Sequence, residues 1–130
     1  RSYAEAARAH AAASADAAML ACALDTLASI TLAAGDASEA IRLADEVLSD
    51  EHGGATDSTR MSAHVTRARA LGALARTDEA VIAWETAAAI AAASPSPARR
   101  REVFGAWADA LASEGRHAEA YELMRRAIDD

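Results

Sequence analysis

The stretch "GDASEAIRLADEVL" at 35–48 returns as "ARTDEAVIAWETAA" at 75–88 and again as "GRHAEAYELMRRAI" at 115–128. Each copy carries Glu-Ala at its fifth and sixth places, which anchors the three on Ala40, Ala80 and Ala120, 40 residues apart each time. A period of this size marks a chain built from stacked supersecondary units, none of which can bury its apolar face alone. The match extends beyond the anchor. Ala28, Ala68 and Ala108 stand twelve residues before it, Val47, Ala87 and Ala127 seven after it, and Ala44, Trp84 and Met124 four after it. A fourth, partial signature lies upstream at Glu5-Ala6, with His10 and Ala13 in the corresponding places and a spacing of 34 residues to Ala40. Small side chains recur where two helices would touch most closely, and the larger residues vary around them.

Those units are helical. Alanine accounts for 40 of the 130 residues, and it has the best intrinsic helix propensity. Val, Ile, Thr and aromatic residues are too sparse and scattered to build a sheet. The 52% apolar content therefore overstates the core, because a buried Ala removes far less surface from water than a Leu or Phe, which is worth about 1.5–3 kcal/mol. The punctuation agrees with a helical reading. Gly35 and Gly115 suit a left-handed residue just past a helix end. Asp36 with Glu39 reads as a capping-box variant, and Ser96-Pro97 places a cap before a proline in the first helical position. "HGGATDS" is a linker with Asp57 or Ser58 as cap. These signals predict seven helices, over about 2–14, 16–34, 37–49, 59–75, 78–93, 98–114 and 117–129. They form one domain, 1–130, made of a partial repeat at 1–14 and repeats at about 16–49, 59–93 and 98–129.

With these places aligned, the chain resembles the tetratricopeptide repeat family. Its unit is a pair of antiparallel helices, A and B, with small residues at set places and a Gly at the turn. The small place on helix A matches Ala28, Ala68 and Ala108, and the turn matches Gly35, Ala75 and Gly115. The two small places on helix B match Ala6, Ala40, Ala80 and Ala120, and Ala13, Val47, Ala87 and Ala127. The large early place matches Leu24 and Phe104, and the following Leu place matches Leu27, with Trp107 standing there in the last copy. The middle copy departs, with His64 and Arg67 where apolar residues are expected, so that Met61, Val65, Ala68, Leu71 and Leu74 carry that face. Extra length over the family unit falls in "SDEHGGATDS" and "AAASPSPA". The resemblance implies a right-handed α-solenoid of about three and a half repeats.

Net charge is −7, which argues against direct nucleic-acid binding, since such binding rests on neutralising phosphates with basic side chains. Lys, Asn and Gln are absent and every basic residue is Arg, in the manner of a high-GC genome. The single cysteine, Cys22, excludes an internal disulfide and gives no sign of an oxidising compartment. The uncharged run 17–24 is too short to span a bilayer, and no signal-peptide pattern opens the chain. The expected location is cytoplasmic, with no membrane partner. The chain starts on Arg and closes on a helix carrying Tyr121, Leu123, Met124 and Ile128 with no polar cap after it. Either more chain follows in a longer protein or the ends pair between subunits.

Catalytic and metal motifs do not stand out. His10, His52, His64 and His117 lack the spacing of a helical zinc site, and no nucleophile elbow or phosphate loop is present. Cys22 reads as a small buried residue with no cation near it, and Trp84 and Trp107 as packing anchors. Arg99, Arg100 and Arg101 oppose the macrodipole of their helix and read as a solvated run. The segment is read as no enzyme, with no cofactor and no metal. The family resemblance implies instead a groove on the A helices that takes a protein or peptide. By its register the groove residues are Asp25 and Ser29, with Cys22 and Leu32; then Ser62, Val65, Thr66 and Arg69, with Gly72; then Glu102 and Asp109, with Gly105 and Ala106. Only Arg69 could grip a peptide carboxylate there. The same analogy implies the sensing or oligomerising part of a bacterial transcriptional regulator. A homodimerisation domain and a small-molecule sensor are the alternatives.

Overall fold

The computed structural model describes residues 3–49 and 55–129, with side chains over 15–49 and 55–127. The side chains of Ala6, His10, Ala13 and Ile128, and the loop 50–54 with His52, lie outside the described residues. Among the described residues there are six α-helices and no strand: α1 (Tyr3–Ala33), α2 (Ala37–Leu48), α3 (Asp57–Ala73), α4 (Thr77–Ala93), α5 (Pro97–Ser113) and α6 (His117–Asp129). Each helix packs on the next in the chain. The odd-numbered ones also touch in order, α1 on α3 and α3 on α5, and no other pair meets among the described residues. The molecule is thus two layers of helices, α1, α3, α5 and α2, α4, α6. The row does not close on itself, because α1 touches neither α5 nor α6.

The seventh expected helix is absent. The two helices read at 2–14 and 16–34 are one continuous α1 of 31 residues, about 46 Å long at 1.5 Å per residue. Nearly half of α1 is Ala, and it contains neither Gly nor Pro. Ser14 and Asp16 at the expected break are good cap residues, but no Gly or Pro stands there to end the preceding turn, and the alanines around them carry the helix through. The other five helices begin and end within a residue or two of their expected limits. Within α1, Ala15–Ala33 has mean hydropathy 1.4, with Asp16 and Asp25 as its charges, and is mostly exposed. It is long and apolar enough to cross a membrane by length and composition, which the run 17–24 alone is not.

Each odd helix is tied to the even helix after it by the same turn. At the first turn the Gly35 N–H donates to Leu32 O at 2.9 Å and the Asp36 N–H to Thr31 O at 3.1 Å. The pairs Ala75 to Gly72 and Arg76 to Leu71 repeat this at 3.0 and 2.9 Å, as do Gly115 to Ala112 and Arg116 to Leu111. This is the Schellman arrangement, which needs a left-handed residue after the helix. Gly35, Ala75 and Gly115 all have positive φ, at 94°, 60° and 81°. A Cβ on Gly35 or Gly115 would meet nothing within 4 Å, so the demand is on backbone conformation and not on space.

The even helices are then opened in two ways. Asp36 accepts the Glu39 N–H at 3.1 Å, but the Glu39 carboxylate turns to Arg42, so only half of the expected capping box forms. Arg76 and Arg116, in the same place, cap nothing with their side chains and form two-bond ion pairs with Glu79 and Glu119. At the other helix starts, Thr56 and not Asp57 or Ser58 caps α3, accepting the Thr59 N–H at 3.2 Å. Ser96 precedes Pro97 as expected but makes no side-chain cap bond.

The core is built from alanines. Ala28, Ala68 and Ala108 are buried, as are Ala40, Ala80 and Ala120 and the trio Val47, Ala87 and Ala127. Ala44 and Ala63 let α2 and α3 approach closely, whereas Trp84 and Trp107 stand between α4 and α5 with ring planes 4° apart and centroids 6.1 Å apart. Leu71 and Val103 are the largest side chains fully enclosed. In the middle copy Met61, Ala68 and Leu71 are buried and Val65 half-buried, but Leu74 is exposed, because it has become the residue that closes α3. Leu123 likewise faces the core, in the place of Leu43 and Ala83, so of the closing face only Tyr121 and Met124 are shown to lie open. Cys22 is exposed and not a buried residue.

Two stability changes are expected. Ala75 holds a left-handed conformation that costs an L-residue about 1–2 kcal/mol. Even after the extra chain entropy of glycine, Ala75→Gly is expected to raise unfolding free energy by about 0.5–1 kcal/mol in urea titration, and Gly115→Ala to lower it similarly. His64 occupies the place of Leu24 and Phe104 with its Nδ1 buried and unpartnered. His64→Leu is expected to stabilise by about 1 kcal/mol.

Candidate functional site

The layer of α1, α3 and α5 encloses a concavity of about 430 Å³. Ser29 comes to it from α1, Ser62, Val65, Thr66 and Arg69 from α3, and Glu102 and Asp109 from α5. Seven of the eight residues expected in the groove therefore line one cavity, although they are drawn from three helices. Gly105 and Ala106 also line it, and a Cβ on Gly105 would point into open space.

Their roles differ. Thr66 is buried and is not an open groove residue; its Oγ1 lies 3.3 Å from Ser29 Oγ, which links α1 to α3 beneath the cavity. Val65 is half-buried and packs among Ala68, Leu71 and Met61. Arg69, Glu102 and Asp109 are exposed, and their side chains form no ion pair among the described residues. Arg101 joins them. It belongs to the basic run 99–101, yet it lies four residues before Gly105 and eight before Asp109. That helical spacing puts all three on one face and was the available signal. The cavity thus carries cations of α3 and α5 beside carboxylates of α5, all free to meet a ligand.

Asp25 is the eighth residue and lies beside this cavity, not in its lining. It is half-buried, its Oδ1 is enclosed with no hydrogen-bond partner, and its neighbour is Ser62. Burial pushes its carboxyl above the ordinary 3.8, and the Ser62 hydroxyl pulls back against that shift. The unpartnered oxygen is an acceptor held ready for a donor. Cys22 is exposed on the same helix, and the Thr26 hydroxyl bonds to its carbonyl at 3.0 Å.

A second concavity, of about 420 Å³, was not foreseen from the sequence. It lies between α4 and α6, which do not touch, and is floored by Trp107 and Leu111 of α5. Val81, Leu123, Arg116 and Arg126 form its sides. Phe104 stacks 6.5 Å from Trp107, and the Arg126 guanidinium lies 5.4 Å over the Phe104 ring. Arg116 is held by Glu119 and Glu114. Trp107 in a place where the first copy has Leu27 was the only trace of this hollow in the sequence. Among the described residues, no three His, Cys, Asp or Glu side chains gather as metal ligands.

No family model matches the chain, and neither a curated protein nor a solved structure is similar to it.

The half-buried Asp25 sets a pH signature. Its folded-state pKa is raised, so between the ordinary 3.8 and the raised value the folded chain holds more protons than the unfolded one. Its contribution therefore weakens as pH rises through that window. Asp25→Asn is expected to remove this fall and to be more stable than wild type at pH 7. Thermal unfolding of both proteins between pH 3.5 and 7 measures it.

Proposed function

We propose that the chain is a non-catalytic interaction module: a right-handed solenoid of tetratricopeptide-like helix pairs that holds a peptide segment of a partner protein along the α1, α3, α5 layer. Three observations support the solenoid. The left-handed turn recurs with a 40-residue period, small residues are buried at the matched places, and packing runs only between neighbours. One observation carries the groove. Residues from three helices, chosen by register, line a single cavity of about 430 Å³, within the size range of ligand sites.

The ligand chemistry follows from the lining. An extended peptide offers alternating N–H and C=O groups, which the hydroxyls of Ser29 and Ser62 can meet. Arg69 and Arg101 select for an acidic side chain, and Glu102 and Asp109 for a basic one, so a peptide carrying both signs fits better than a terminal carboxylate alone. On this reading the module is cytoplasmic, binds neither nucleic acid nor cofactor, and serves the sensing or oligomerising part of a bacterial regulator.

Selection of peptides from a displayed random library on the immobilised chain tests the groove. Selected peptides are expected to bind Arg69→Glu and Asp109→Arg at least tenfold more weakly by fluorescence anisotropy. Gly105→Ala is expected to raise the melting temperature, as Gly to Ala does in a helix interior, while weakening the same peptides. Unchanged affinities in all three variants, or a library that yields no binder, remove the groove from consideration.

A further inference from the structure

The 40-residue period allows each helix face to be compared with its counterparts, and two faces lack the partner that their counterparts have. On α3 and α5, the places 63/103, 67/107 and 70/110 turn toward the preceding helix. Ala63 packs with Ala44 and Val47 of α2, and Ala70 with Ala37, Ala40 and Ile41. Arg67 Nε reaches Asp45 at 2.8 Å. One period later, Val103 packs with Ala87 and Ala91 of α4, Trp107 stacks on Trp84, and Ala110 joins the cluster of Ala80 and Trp84. On α1 these places hold Ala23, Leu27 and Ile30, with Met19 one turn earlier. All four are exposed, Ile30 by 60% and Met19 by 70%.

The receiving face shows the complementary gap. Ala44 and Trp84 are buried, and Ile41 and Val81 half-buried, because α3 and α5 cover them. On α6 the same two places are Met124 and Tyr121, exposed by 44% and 64%.

We propose that these two faces belong to each other: α1 of one copy of this chain seats on α6 of a second copy, as α3 seats on α2 and α5 on α4. The occupant follows from continuity with the internal junctions. The stripe on α1 carries no charge, and the face it would meet is Tyr121 and Met124. The shared register already takes Ala70 against Ile41 at α2–α3 and Trp107 against Trp84 at α4–α5, so Leu27 against Met124 and Ile30 against Tyr121 fall within the sizes it accommodates. A contact between two different faces is heterologous and is not completed by two copies. It produces rows of copies that lengthen with concentration, with the α1, α3, α5 layer running on from one copy into the next. This assembly depends on the two end helices and not on any ligand in the groove.

Sedimentation velocity of the 130-residue chain from micromolar to millimolar concentration tests it. Wild type is expected to grow past a dimer as concentration rises. Leu27→Glu with Ile30→Glu, and separately Tyr121→Glu with Met124→Glu, are each expected to stay monomeric. An equimolar mixture of the two variants is expected to form a one-to-one pair and stop there, since each keeps one intact face. Far-UV circular dichroism checks the fold, and Ile30→Gln and Tyr121→Ser mark the same faces more mildly. Three outcomes overturn the proposal: a wild type that stays monomeric throughout, an α6 variant that still dimerises (α1 pairing with α1), or a mixture that stays monomeric. A monomeric wild type that pellets with phosphatidylcholine vesicles, and loses this with the α1 variant, would instead assign the α1 face to a membrane.

Discussion

Close approach of helices at alanine is the constraint from which the rest of this structure follows. The chain has few large side chains, so it cannot gather a thick apolar centre. It gains burial by bringing helices together at alanine, where Ala68 and Ala80 share one cluster, Ala108 and Ala120 another, and Ala40 and Ala70 a third. Such contacts are short-ranged, because a methyl group reaches only the adjacent helix. A core of this kind extends as a row and does not thicken into a ball, and the observed packing, each helix on the next and each odd helix on the next odd one, is its geometric result. The left-handed turn at Gly35, Ala75 and Gly115 is the second half of the same device, since it reverses the chain with the same pair of backbone hydrogen bonds each time.

Where bulk does enter, it changes the surface. Trp84 and Trp107 stack between α4 and α5, and beside them the α4–α6 side opens into an apolar hollow. On the other layer, where Ser29, Thr66, Gly105 and Ala106 are small, the surface sinks into a cavity rimmed by unpaired charges. Both concavities arise from residue size at equivalent places in successive copies. The repeat supplies the frame, and departures from it supply the candidate sites.

Much of the cavity lining is legible in the sequence, for a geometric reason. Helical positions 29, 62, 66, 69, 102 and 109 share a face once the anchors are aligned, and α1, α3 and α5 stand side by side. Arg101 is masked by the charge of the run 99–101, and only its spacing from Gly105 and Asp109 marks it as a cavity residue. Thr66 was placed on the right face but at the wrong depth, since periodicity gives direction and not the height of a neighbouring helix. Asp25 shows the same limit: its enclosed, partnerless oxygen depends on how closely α3 approaches α1.

The sequence by itself determined the helical class, the period, the turn residues and the small buried places of α2 to α6, because propensity, capping and periodicity are local and repeat in every copy. Only the tertiary structure decided that α1 runs unbroken from Tyr3 to Ala33, that Leu123 turns inward while Cys22 stays exposed, and which apolar faces are left uncovered. Those outcomes depend on which helix lies against which. In a chain whose copies are so alike, a residue's surroundings are set by its place in the row more than by its own side chain.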